Sequence, residues 1–257
     1  DIDYFRPNKW ENTKGFSIAI IPDSQQYVDF LNQKQFKKSN TWKIFYEQTK
    51  FLSENSIYNG GDFSFAIHVG DVIEHRSHVF AEWNHAVKCM NNLDGTLPFL
   101  IIPGNHDYDM WIDGHQDSGS FMYNYNFGPN SNYFRNKDWY KGSSKNGRNS
   151  YCIFDCADTK MLVIGLEVNP DEKTINWAQD ILNQYPDLPC ILVTHVYISV
   201  LQEKAPAGSQ PKTIQSNGST YLQGVNYEYV LDEYRKKQNG YTSVDLWNNF
   251  ISKNNQI

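Results

Sequence analysis

Apolar residues in this chain fall into short, nearly continuous runs, separated by stretches in which they recur every three or four positions. The runs are "FSIAIIP" (16–22), "FSFAIHVG" (63–70), "PFLIIPG" (98–104), "SYCIFDC" (150–156), "MLVIGLE" (161–167) and "CILVTH" (190–195). Unbroken apolar character over four to eight residues predicts strands covered on both faces. Helical spacing appears in three places. "NTWKIFYEQTKFLSENS" places Trp42, Phe45, Tyr46, Thr49 and Leu52 at three- and four-residue steps. "HVFAEWNHAVKCMNNL" sets Phe80, Trp83, Val87 and Met90 on one face, and "DEKTINWAQDILNQY" does so with Ile175, Ala178, Ile181 and Leu182. The last opens at Asp171 with acidic residues in its first turn, as a helix start should. Strands alternating with helices predict an α/β layered fold.

Two segments break the rhythm. Residues 108–149 are rich in Gly, Asn, Ser and Tyr and read as a long loop. Residues 199–240 hold "KAPAGSQPKTIQSNGST" and then a polar helix candidate, "VNYEYVLDEYRKKQ". Loops this long are uncommon in a compact domain unless they serve a site, and both come after strands ending in histidine.

The carboxyl ends of the strands carry a consistent chemistry. The first delivers Asp23 and Gln25; the second Asp71, Glu74, His75 and Arg76; the third, in "PGNHDYD", Asn105, His106 and Asp107; the last His195. In open α/β sheets ligands bind outside the carboxyl ends of the strands, so all four sets are expected on one rim. Carboxylate, amide oxygen and imidazole suit hard-to-borderline divalent metals. A turn accounts for the Pro, Gly, Asn and Asp of "PGNHD" but does not require its histidine.

Composition narrows the alternatives. A net charge of −6 without a basic stripe disfavours the nucleic-acid footprint that a metal-dependent nuclease would need. No run of about 18 apolar residues exists to span a bilayer. The four cysteines form no C-x-x-C pair; Cys152 and Cys156 share a strand face and read as small buried hydrophobes ahead of a disulfide. The first residue is Asp1, which fits leader removal or trimming equally; a secreted or periplasmic placement is preferred to a cytoplasmic one. His75, His78 and His85 are expected on one exposed helix face, and His68 as a satisfied core histidine. Ser143 and Ser144 have no His/Asp partner for a serine hydrolase.

These motifs resemble those of the calcineurin-like metallophosphoesterase family, whose pattern runs D-x-H, G-D-x-x-[DE], G-N-H-[DE], a histidine after a strand, then G-H-x-H. The resemblance covers the chain from about Phe16 onward. It implies a four-layer α/β/β/α sandwich of mixed sheets flanked by helices. It also implies hydrolysis of a phosphomonoester or phosphodiester through a dinuclear centre of two divalent ions (Mn, Fe or Zn) and a metal-bound hydroxide. Carried over by position, Asp23 and Gln25 would bind the first metal, Asp71 would bridge, and Asn105 and His195 would hold the second. His106 would be the catalytic histidine, oriented by Glu74, with Arg76 and Tyr108 as candidate substrate contacts. Two departures stand out. Motif one is "DSQ", so Gln25 replaces an imidazole, and G-H-x-H is absent. The expectation is therefore one catalytic domain lacking its C-terminal strands. A non-catalytic binding protein of the same fold is the competing class.

Overall fold

The computed structural model describes residues 15–30, 40–109, 119–195, 197, 240–241 and 243–257. The helix expected at 225–238, the Asn217 sequon, Trp111 and His115 lie outside the described residues. All six predicted strands form: β1 (Ser17–Ile21), β2 (Phe63–His68), β3 (Phe99–Ile101), β5 (Ser150–Cys156), β6 (Thr159–Leu166) and β7 (Cys190–Thr194). A further strand, β4 (Tyr140–Ser143), and a helix, α4 (Phe121–Phe127), lie where a continuous loop was expected over 108–149. The other helices are α1 (Gln25–Val28), α2 (Trp42–Glu54), α3 (Phe80–Met90), α5 (Glu172–Gln184) and α6 (Ser243–Asn249).

The strands make two sheets. β1, β2 and β3 pair in parallel in that order. In the second sheet β4, β5 and β6 pair antiparallel and β7 joins β6 in parallel. The chain thus has the mixed α/β architecture expected, two sheets flanked by helices.

Three apolar layers hold it together. Ala19, Ile21, Ala66 and Ile101 face Phe45, Trp83 and Met90 of the helices over the first sheet. Between the sheets, Phe65, Ile67, Leu100 and Ile102 meet Cys152, Phe154 and Val163. The Phe65 and Phe154 rings stack with centroids 4.3 Å apart. Gly165 permits this approach, since a Cβ there would stand 2.5 Å from Ile102 Cγ2. On the far side, Leu162, Ile164 and Leu166 pack on Ile175, Ala178 and Phe250. Asp171 caps α5, its side chain accepting from Thr174 N at 2.8 Å, as its place before the periodic run predicts. The four cysteines are buried and free.

Candidate metal centre

Parallel pairing puts the carboxyl ends of β1, β2 and β3 on one rim, and β7 delivers His195 to it. His195 Nδ1 donates to Val69 O at 2.8 Å, tying the two sheets together where their ends meet. The loops approach too closely for side chains. A Cβ at Gly104 would lie 2.2 Å from Asp71 N, and one at Gly70 (φ +100°) would lie 2.6 Å from Gly104 N. Asp71 and Arg76 adopt the left-handed region at φ +49° and +57°, a strain that tends to accompany functional loops.

Asp23, Asp71 and His195 bring ligand atoms within 4.8 Å of one another. The Asp71 carbonyl accepts from Ser24 N and Gln25 N at 3.1 and 3.0 Å, fixing the first loop on the second. Its carboxylate Oδ1 accepts from His106 N at 2.8 Å, and Oδ2 lies 3.3 Å from His195 Nε2. Because Nδ1 of His195 carries a proton for Val69, a neutral ring turns its Nε2 lone pair on that carboxylate. Two acceptors face each other, which requires a proton or a cation between them. Without metal the proton serves: burial lowers the His195 pKa, but the Asp71 bond and charge outweigh it and hold it at about 9. Burial pushes the Asp23 acid up, His195 pulls it down, and the Asp71 charge raises it again. Gln25 Oε1 is a buried acceptor with no hydrogen-bond donor. An orphaned amide oxygen, two crowded carboxylates and an imidazole oriented through its far nitrogen fit a divalent cation.

The remaining expected residues sit around this group. His106 Nδ1 bonds to the main-chain carbonyl of Glu74 at 2.8 Å, while the Glu74 carboxylate is 3.9 Å away and accepts from Gln26 Nε2 at 2.9 Å. The Glu74 carboxylate thus stands at ion-pair distance from His106 Nδ1, while the nearer acceptor is the carbonyl of the same residue. Arg76 is buried and donates through Nη1 to Asn105 O at 2.9 Å, a link between the second and third loops. Tyr108 is fully buried, with the Arg148 guanidinium 4.9 Å from its ring centroid, so its ring is core rather than an open platform. His68, also buried, accepts from Gly70 N at Nδ1 (3.2 Å) and therefore donates from Nε2 to Ser24 Oγ (3.0 Å), which passes its own proton to Val72 O. Burial drives the His68 pKa down to about 3, consistent with a neutral structural ring. The shared helix face expected for His75, His78 and His85 does not form, because α3 begins at Phe80. His85 instead stacks on Trp42, with centroids 5.1 Å apart.

Two buried carboxylates, Asp107 of the "GNHD" motif and Glu82 outside any motif, hold the loops in place. Asp107 accepts from Gly104 N, Val72 N and Ile73 N at 2.8 to 3.2 Å. Burial, and then the Asp71 charge, push its acid up to about 7 against the pull of those amides. Glu82, on α3, is fully buried and accepts from Phe30 N, Glu74 N, His75 N and His75 Nδ1. Asp107 was visible as the last letter of "GNHD". Nothing in the sequence distinguishes Glu82 from a solvated helix residue. A separate apolar groove of about 860 Å³ lies between β1 and α2, and neither Asp23, Asp71, His106 nor His195 lines it.

Compared with known families, residues 16–246 match the model for calcineurin-like phosphoesterases. The chain belongs to that family. The family is, in general terms, one of metal-dependent phosphoesterases. The uncharacterized protein YvnB of Bacillus subtilis (strain 168) is 25% identical over 209 residues, which cover 81% of this chain and 15% of YvnB. The chain thus spans a small part of that relative's length. Among solved structures, GAP50, the anchor in the inner membrane complex of Plasmodium, matches 85% of this chain and 62% of its own. That match has 13% identity and a TM-score of 0.35, too loose a superposition to carry detail across. No helix among the described residues is long and apolar enough to cross a membrane.

Proposed function

We propose that this chain hydrolyses a phosphomonoester or phosphodiester at a dinuclear centre held by Asp23, Gln25, Asp71, Asn105 and His195. What supports the reading is the gathering of Asp23, Asp71 and His195 ligand atoms within 4.8 Å, with His195 Nε2 3.3 Å from the Asp71 carboxylate, together with the buried Gln25 oxygen that has no donor. Two divalent ions, of Mn, Fe or Zn, would supply neutralisation of the phosphoryl oxygens and an activated water.

The chain's own residues then have distinct tasks. Asp23 and Asp71 set the negative charge that balances the cations, and Gln25 and Asn105 add neutral amide oxygens. His195 is held by Val69 O so that Nε2 faces the centre. As water oxygen bonds to phosphorus, the ester P–O bond breaks and the leaving alkoxide needs a proton. His106 delivers it, its ring fixed from behind through Nδ1. The water's proton leaves to solvent and His106 regains one from solvent, so the cycle balances as hydrolysis. The test is turnover of p-nitrophenyl phosphate and bis(p-nitrophenyl) phosphate with added Mn or Zn, before and after chelation. Metal-dependent release of nitrophenol from either supports the reading. No release from either, by protein that has bound metal, overturns it.

A further inference from the structure

The peptide unit joining Glu74 to His75 has a hydrogen-bond partner at each end. Its carbonyl accepts from His106 Nδ1 at 2.8 Å, and its N–H donates to Glu82 Oε2 at 2.8 Å. In a trans peptide the carbonyl and N–H point in opposite directions, so His106 and Glu82 stand on opposite sides of one rigid plane. Glu82 is fully buried and acts only as an acceptor, taking four N–H groups from the end of α1 and from residues 74 and 75. A carboxylate bonded to the N–H strengthens the same peptide's carbonyl as an acceptor, because hydrogen bonds in a chain polarise one another.

We propose that Glu82 is a positioning residue for His106, acting through the Glu74–His75 peptide: it fixes the plane of that peptide and so keeps the resting proton of His106 on Nδ1, leaving Nε2 to carry the second proton, the one delivered. The chain carboxylate, peptide, imidazole fills the role expected of the Glu74 side chain, which is occupied with Gln26. This rests on the catalytic role assigned above to His106. The tautomer, however, is a property of the folded protein and can be read without turnover.

The experiment compares wild type, Glu82→Gln and Glu82→Asp in the full chain, with steady-state kinetics, metal content and NMR of ¹⁵N-labelled histidine. His106 is assigned by its loss in His106→Asn. In wild type the expected result is a His106 Nδ1–H resonance in slow exchange. In Glu82→Gln, where an NH2 that cannot accept replaces one of the two oxygens taking the four N–H groups, that resonance moves and broadens. There kcat falls about 10- to 100-fold, the scale of a partner that orients a catalytic group, with KM and metal content unchanged. Glu82→Asp, keeping the carboxylate, regains part of kcat. An unmoved resonance with wild-type kcat in Glu82→Gln overturns the proposal, as does a fall in kcat that only tracks lost metal or folded protein. Should neither variant fold, wild type alone decides: a His106 that carries no proton on Nδ1 refutes the bridge. Wild-type protein without turnover but with the expected Nδ1–H shift would sink the phosphoesterase reading and leave the Glu82 bridge standing.

Discussion

Asp23, Asp71 and His195 form one group whose ligand atoms all lie within 4.8 Å of one another, and Asp29, His75 and Glu82 form another. By residue type the two are nearly interchangeable. Hydrogen-bond accounting separates them. Both Glu82 oxygens are filled by four N–H donors, and His75 Nδ1 spends its proton on one of them at 2.7 Å. In the first group the His195–Asp71 contact closes only when the ring takes up a second proton, and Gln25, two residues from Asp23, has a buried oxygen with no donor. A buried polar group without a partner costs free energy, so the first arrangement is poised for a cation while the second is complete without one. Ligand type and spacing nominate a metal site; the donors already present decide between nominees.

Substitutions can break that contrast. The largest effect is expected from Asp71→Asn, which removes the charge shared by both proposed ions: turnover of nitrophenyl esters falls at least about 10³-fold and elemental analysis shows metal lost. His106→Ala is expected to keep its metal and lose about 10²- to 10⁴-fold in kcat, the usual scale for an acid–base group. Gly104→Ala would drive a Cβ to 2.2 Å from Asp71 N. Overpacking of that kind costs roughly 1–3 kcal/mol, which thermal unfolding would report as a fall in Tm of about 2–12 °C. Asp107→Asn leaves at least one of the Gly104, Val72 or Ile73 amides unpaired, for about 1–3 kcal/mol by denaturant titration. Least affected is His75→Ala, which removes one bond to Glu82 but no main-chain donor. Its metal content stays at the wild-type level and kcat changes less than about threefold, since the loss of one such bond is worth roughly 1 kcal/mol.

Much of this was legible in the chain because burial on both faces leaves an unbroken apolar run, and ligands placed directly after such runs cannot be far apart in an α/β sheet. β4 was not legible. "YKGS" is short and polar, lies at the sheet edge and is only half-buried, so it carries neither a continuous run nor a clean alternation. α4, "FMYNYNF", interleaves asparagines with aromatics and imitates a loop. Its start is set by tertiary contact, with the Asp109 carboxylate accepting from Phe121 N at 2.6 Å and Met122 N at 3.2 Å. Glu82 was hidden for a different reason. It occupies a helical position where a carboxylate usually meets solvent, and only the fold shows the amides of Phe30, Glu74 and His75 turned toward it. The motif spacing did place Glu74 beside His106, but spacing cannot tell a carboxylate from the carbonyl of the same residue.

The most direct test of the central claim is metal stoichiometry by elemental analysis, on protein purified without chelator and then equilibrated with Mn, Fe or Zn, comparing wild type with Asp71→Asn and His75→Ala. The expected result is bound divalent metal in wild type and His75→Ala, and its loss in Asp71→Asn. Wild type without metal, or Asp71→Asn retaining as much as wild type while His75→Ala loses it, would contradict the assignment of the centre to Asp23, Asp71 and His195.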